Sequence, residues 1–158
     1  SEIKWVNLHE GIDSTLMILQ KRLSGITVIK QYAHLPLVNC YAGEINQVFM
    51  NLLMNAIDAL YRGIGSKVDQ TQPPTIWIVT EVLEKNKVAI RITDNGMGMT
   101  SEVKARIFDP FFTTKPVGKG TGLGLSISYK IVLEQHGGKL ICDSAPGEGA
   151  EFKMVLPY

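Results

Sequence analysis

No apolar stretch in the 158 residues approaches the roughly 20 that a membrane-spanning helix needs. The opening Ser1-Glu2-Ile3-Lys4-Trp5 lacks the apolar segment of a secretory leader. An excess of charge of one sign is missing too. Sixteen basic side chains against fifteen acidic ones leave a formal net charge of +1, a balance that calls for neither nucleic acid nor a membrane surface as partner. Cysteine is scarce: Cys40 and Cys142 stand far apart, which argues against a disulfide scaffold or a zinc site. Internal repeats and low-complexity tracts are absent, which excludes collagen and coiled-coil architectures. With 45% hydrophobic and 20% charged residues, what remains is a globular chain about one domain long.

Periodicity gives the course of the chain. Residues 7–23 place Leu8, Ile12, Leu16, Leu19 and Leu23 at helical spacing before a Ser24-Gly25 stop. Residues 26–32 alternate as a half-buried strand does, with Ile26, Val28 and Lys30 on one face, and Pro36 is expected to block further regular structure. The strongest helix spans 43–62, where Ile45, Phe49, Leu52, Ala56 and Leu60 form a stripe. An exposed loop is expected over 64–74, and 75–83 and 87–93 read as a hairpin around Glu84-Lys85-Asn86. Ser101 is placed to cap a short helix through Ile107. A helix over 122–135, stopped by Gly137-Gly138, precedes a last hairpin formed by 139–144 and 150–156. The hairpins exclude a uniformly parallel sheet. The order predicts an α/β fold, a two-layer α+β sandwich: a mixed, mostly antiparallel sheet covered on one face by three main helices.

Four segments carry candidate chemistry. On the 43–62 helix, Gln47, Asn51, Asn55 and Asp58 share one face. That stripe is either a solvent face or the polar wall of a pocket, where asparagine carbonyls suit a hard cation such as Mg²⁺. Asp94-Asn95-Gly96-Met97-Gly98-Met99 follows a strand directly. It is good turn chemistry, and equally a carboxylate placed to accept from a bound base beside glycines that admit a flat ligand. Phe108-Asp109-Pro110-Phe111-Phe112-Thr113-Thr114-Lys115 is either a core corner or a mobile segment pinned by aromatic anchors. Gly118-Lys119-Gly120-Thr121-Gly122-Leu123-Gly124-Leu125 has glycine at alternate positions before a helix, the makings of a phosphate cradle. It fits neither the Walker pattern nor the dinucleotide G-x-G-x-x-G pattern.

Taken together and in this order, the segments resemble the Bergerat-type ATP-binding domain of sensor histidine kinases: N box, first glycine box, F box and second glycine box. The resemblance covers nearly the whole chain, so 1–158 is expected to be one ATP-binding catalytic domain. It implies ATP between the N-box helix and a flexible lid, 113–120, mobile without nucleotide. Asn55 would ligate Mg²⁺ with Asn51 beside it near the phosphates, and these two form the implied catalytic pair. Asp94 would accept the adenine amino group, with Gly96, Gly98 and Met99 against the ring. Lys115, Lys119 and the backbone of Gly120, Thr121, Gly122, Leu123, Gly124 and Leu125 would hold the triphosphate, with Thr113 and Thr114 at the lid's base. Asp58-Ala59 stands where many members carry Lys-Tyr, as in the nitrogen-regulator-like branch, and Arg62, one turn on, is a candidate substitute for the lost lysine.

The gyrase-like, MutL-like and Hsp90-like relatives carry a water-activating glutamate at the position of Asn51, and an amide is a poor general base. The resemblance therefore implies phosphoryl transfer to a histidine, with a non-catalytic regulatory module or a gyrase-type ATPase as alternatives. Among the three histidines, His9 is expected to face solvent, His34 lies in a loop, and His136 sits at a helix end that favours a cation. None reads as the phosphoacceptor. The implied partners are the protein's own dimerisation and phosphoacceptor domain, expected outside this sequence, and a downstream response regulator. The fragment is expected to be monomeric and cytoplasmic, without nucleic-acid or membrane contact.

Overall fold

The computed structural model describes residues 2–63, 72–115 and 122–158. Five strands form the main sheet, β2 (Thr27–Gln31), β4 (Thr75–Leu83), β5 (Lys87–Asp94), β7 (Ala150–Pro157) and β6 (Lys139–Ser144), in the order β2-β4-β5-β7-β6. Only the β2–β4 pair is parallel; the other three pairings are antiparallel. Alternation along these strands turns Ile76, Ile78, Ile90, Ile92, Phe152 and Met154 into one buried face. Against that face lie α1 (Leu8–Ile18), α2 (Ala42–Gly63) and α4 (Gly124–Lys130), so the two-layer arrangement stands as expected.

The stripe of α2 explains its position. Ile45, Val48, Phe49, Leu52, Leu53, Ala56, Ile57 and Leu60 are each at most 3% exposed and fill the centre of the core. Burying one such side chain contributes about 1.5–3 kcal/mol. The opposite face of α2 is then free to carry its amides. α3 (Ser101–Arg106) begins one residue earlier than the sequence indicates: Thr100, not Ser101, is the cap, its Oγ1 accepting from the Val103 N–H at 3.2 Å.

Three local expectations are corrected. Pro36 does not end regular structure, because β1 (Ile3–Val6) and β3 (Val38–Tyr41) pair antiparallel in a separate two-stranded sheet that buries Val38 and Cys40. The first helix leaves α geometry at Ile18, and turns over 19–25 return Leu19 and Leu23 to the core. The helix expected to run to residue 135 ends as α4 at Lys130 and continues as a π-helical turn, Ile131–Gln135. The two cysteines are both free.

Candidate functional site

The sheet ends at Asp94, and that end is the floor of the site. Asp94 is 3% exposed. Its carboxylate accepts from the Gly96 N–H at 2.9 Å and also receives the Ala150 N–H, yet burial outweighs both bonds and pushes its pKa up to about 6. Two hydrogen bonds hold the loop behind it: Asn95 Oδ1 accepts from the Thr75 N–H at 2.8 Å, and Asn95 Nδ2 donates to the Pro73 carbonyl at 3.0 Å. Gly98 has φ +71, and a Cβ there would collide with the Ala145 carbonyl oxygen. Any side chain would push the loop off the following hairpin. A Cβ at Gly96 would press on Asp94 and on the Ala59 carbonyl of α2.

Above this floor, α2, the 97–100 loop, α3, residues 112–115 and the start of α4 enclose a cavity of about 510 Å³. Of the residues singled out from sequence, Asn51, Asn55, Asp58, Arg62, Gly98, Met99, Thr113, Thr114, Lys115, Gly122, Gly124 and Leu125 line it. Asp94, Gly96 and Leu123 do not reach its wall; Leu123 instead accepts at its carbonyl from Ile127 N and Ser126 Oγ. Lys119, Gly120 and Thr121 lie outside the described residues, as do most of the expected 64–74 loop and most of the expected lid. Sequence reasoning missed Met54 and Ala59, which share the helical face of Asn51, Asn55, Asp58 and Arg62 and could have been found by the same spacing. It also missed Thr100, Val103, Ile107 and Ala150, while Phe112 belongs to the aromatic segment singled out from sequence.

The amides are not equivalent. Asn51 donates to the Gly124 carbonyl at 2.9 Å and to Ser128 Oγ at 3.0 Å, while its own Oδ1 accepts from Gln47 Nε2 at 2.8 Å. It is therefore a clamp between α2 and α4. Asn55, one turn on, makes no hydrogen bond through its side chain to any described residue and opens on the cavity. No group of three or more His, Cys, Asp or Glu among the described residues could hold a metal by itself. A lone amide carbonyl with room for water and phosphate oxygens is the donor set that Mg²⁺ accepts, so these residues fit a cation brought in with an anionic ligand.

The rim is cationic and already paired. Lys115 Nζ lies 2.5 Å from Asp58 Oδ2, and Arg22 Nη2 lies 2.8 Å from Asp58 Oδ1. Arg62 does not point into the cavity as a free cation, because it donates to Thr114 Oγ1 at 2.7 Å and to the Thr114 carbonyl at 3.0 Å. The three phenylalanines divide their roles. Phe108 packs on Tyr129 and Phe152, Phe112 lines the cavity under Arg106, and Phe111 is 73% exposed.

The histidines lie elsewhere. His9 is not a solvent residue: its Nε2 is 2.8 Å from Thr80 Oγ1 and its ring stacks on Tyr32 at 4.0 Å, and burial lowers its pKa against the opposing pull of Asp13. His136 accepts the Tyr41 N–H on Nε2 at 3.1 Å and meets the Ile131 carbonyl through Nδ1 at 2.8 Å. Through these two contacts the residue ties the π turn to β3.

A family model described as histidine kinase-, DNA gyrase B-, and HSP90-like ATPase matches residues 41–158, and the chain belongs to that family. Sporulation kinase E of Bacillus subtilis (strain 168) is 37% identical over 151 residues, 95% of this chain and 18% of that protein. The chain thus spans less than a fifth of that relative. The catalytic domain of histidine kinase ThkA, solved nucleotide-free, superposes with a TM-score of 0.81 at 31% identity, covering 99% of this chain and 98% of that one. Histidine kinase ThkA has also been solved in complex with response regulator protein TrrA, with a TM-score of 0.76 at 28% identity over 98% of this chain and 41% of that one. Within the family, the chain is therefore a catalytic domain of histidine-kinase type. No helix among the described residues is long and apolar enough to cross a membrane.

Proposed function

We propose that the cavity binds magnesium ATP and presents its γ-phosphoryl group to a histidine on a dimerisation domain outside this chain, as one step of two-component signalling. The observation that carries this reading is convergence. The polar face of α2, the Gly98-Met99 loop, Lys115 and the start of α4 border one space, and the buried Asp94 lies behind that loop, bonded to the Gly96 N–H. Asp94 takes the adenine amino group, while Gly96, Gly98 and Met99 admit the ring. Asn55 offers its carbonyl to Mg²⁺, with Asn51 beside it. Lys115 and the backbone of Gly122, Leu123, Gly124 and Leu125 hold the phosphates, together with Lys119, Gly120 and Thr121 in the proposed lid, and Thr113 and Thr114 seat its base. When bound, Mg²⁺ spreads the negative charge of the phosphates.

Kinase chemistry fits better than hydrolysis. Asn51 cannot act as a general base, and its amide is engaged by α4. The carboxylate of Asp58 lines the cavity but is held by two cations. The histidines of the chain are packed or remote, so the acceptor belongs to another domain, expected to form the dimer, while this unit by itself is monomeric. The response regulator downstream and the cytoplasmic setting belong to the same reading. The test is calorimetric titration of the chain with magnesium ATP, followed by mixing with the acceptor domain of its own protein. The expected outcome is saturable binding and acid-labile phosphorylation of that domain. Sustained phosphate release by the chain alone would favour the gyrase-type alternative, and binding without transfer would favour a regulatory module.

A further inference from the structure

Asp58 receives two cations from segments far apart in sequence, and only one of them borders the cavity. Lys115 is a lining residue; Arg22, in the turns after α1, is not. Arg22 is held in place from below, because Tyr61 Oη donates to its backbone carbonyl at 2.6 Å. Residues 114 and 115 are held from above by Arg62 and Asp58. Lys115 thus faces competing demands. It neutralises Asp58 now, and the phosphates of a bound nucleotide would draw it away.

If Lys115 were the only partner of Asp58, its departure would leave a carboxylate, 19% exposed, facing a polyanion across the same cavity. Like charges at such range in a partly desolvated site repel by an amount that weakens binding measurably. Arg22 removes that conflict, since it stays on Asp58 Oδ1 when Oδ2 is vacated. Resting on the reading of the cavity as a nucleotide site, we infer that Arg22 is a positioning residue for phosphate binding. It acts through Asp58 to free Lys115 for the nucleotide and does not touch the ligand itself. The same logic explains how an aspartate is tolerated on a helix face that lines a triphosphate site.

The experiment compares magnesium ATP with adenosine, which carries no phosphate, by calorimetry on the 158-residue chain. Arg22→Ala should weaken ATP binding by about threefold to tenfold while adenosine keeps its affinity. Arg22→Lys should restore ATP binding, because a cation is what Asp58 requires. In an Asp58→Asn background, ATP should bind more tightly than to the parent, and Arg22→Ala should then have no further effect. Equal losses for ATP and adenosine, no loss at all, or the same loss with Asp58→Asn in place would each overturn the inference while leaving the nucleotide site standing. If the parent chain binds neither ligand, the reading of the cavity fails, and the inference with it.

Discussion

Asp94→Asn should make the protein more stable and a poorer binder at once. Burial raises the carboxyl from its ordinary 3.8 to about 6, which corresponds to about 3 kcal/mol of destabilisation of the ionised folded state at neutral pH. Asparagine removes that cost. It keeps one acceptor oxygen where the carboxylate has two, for the N–H groups of Gly96 and Ala150, and so forfeits about 1 kcal/mol. The net gain is about 1–2 kcal/mol, a rise in Tm of about 2–8 °C for a chain of this size. Binding moves the other way. A charge-assisted bond to the adenine amino group is worth about 1.5–3 kcal/mol, and the new amide turns a donor towards a donor, so ATP affinity should fall by about tenfold to a hundredfold. The sign in pH is fixed by the same shift. A carboxyl with a raised folded-state pKa contributes stability that is complete below about pH 4 and is lost as pH rises through about 6. The parent should show that loss and Asp94→Asn should not. Differential scanning calorimetry and nucleotide titration of the pair decide it. A variant that is less stable than the parent and binds ATP equally well would refute both the buried-charge argument and the adenine assignment.

Asn55→Ala should abolish most of the difference between ATP affinities measured with and without Mg²⁺, by titration in the presence of the cation or of a chelator; an unchanged difference would remove Asn55 from the metal. Gly98→Ala places a Cβ at φ +71 against the Ala145 carbonyl and should cost about 2–4 kcal/mol in urea unfolding, so an unshifted midpoint would show that the loop has room the structure denies. His136→Leu leaves the Tyr41 N–H and the Ile131 carbonyl without their partner and should cost about 2–4 kcal/mol by the same measurement, with adenosine binding retained because the ring lies outside the cavity.

What could be read in advance follows from how locally each feature is encoded. The α2 face was legible because Asn51, Asn55, Asp58 and Arg62 repeat at helical spacing within a single element, and the cavity then opens on that face. Met54 and Ala59 share the face but are apolar, so a search for polar chemistry passed over them. Ala150 was beyond reach for another reason: it enters the site only because β5 and β7 pair in a register that sets it opposite Asp94, 56 positions earlier in sequence. The β1 and β3 strands have four residues each, too short for alternation to register, and Pro36 masked the second. The first helix appeared too long because Leu19 and Leu23 keep helical spacing while reaching the core through turns. His9 appeared exposed because nothing local reveals that Thr80 and Tyr32 will close over it. Arg22 is a surface arginine in any local reading, and only the packing of α1 against α2 brings it to Asp58.

Position 51 joins the packing to the chemistry. Ser128 donates its hydroxyl hydrogen to the Gly124 carbonyl at 2.9 Å, so what faces Asn51 from α4 is oxygen lone pairs: one set on the Ser128 hydroxyl, the other on that same carbonyl. The amide nitrogen of Asn51 satisfies both. A carboxylate there would present acceptors to acceptors inside a half-buried contact, at a cost of order 1–3 kcal/mol for each group left unpaired. Replacing this amide by a glutamate would therefore require more than one substitution, because the helix that borders the cavity is docked through that very amide. Ser128→Ala alone would not suffice, since the Gly124 carbonyl remains an acceptor. On the proposed reading of the cavity as a nucleotide site, the amide that stands in place of a hydrolytic base is thus the one that seats α4 on α2.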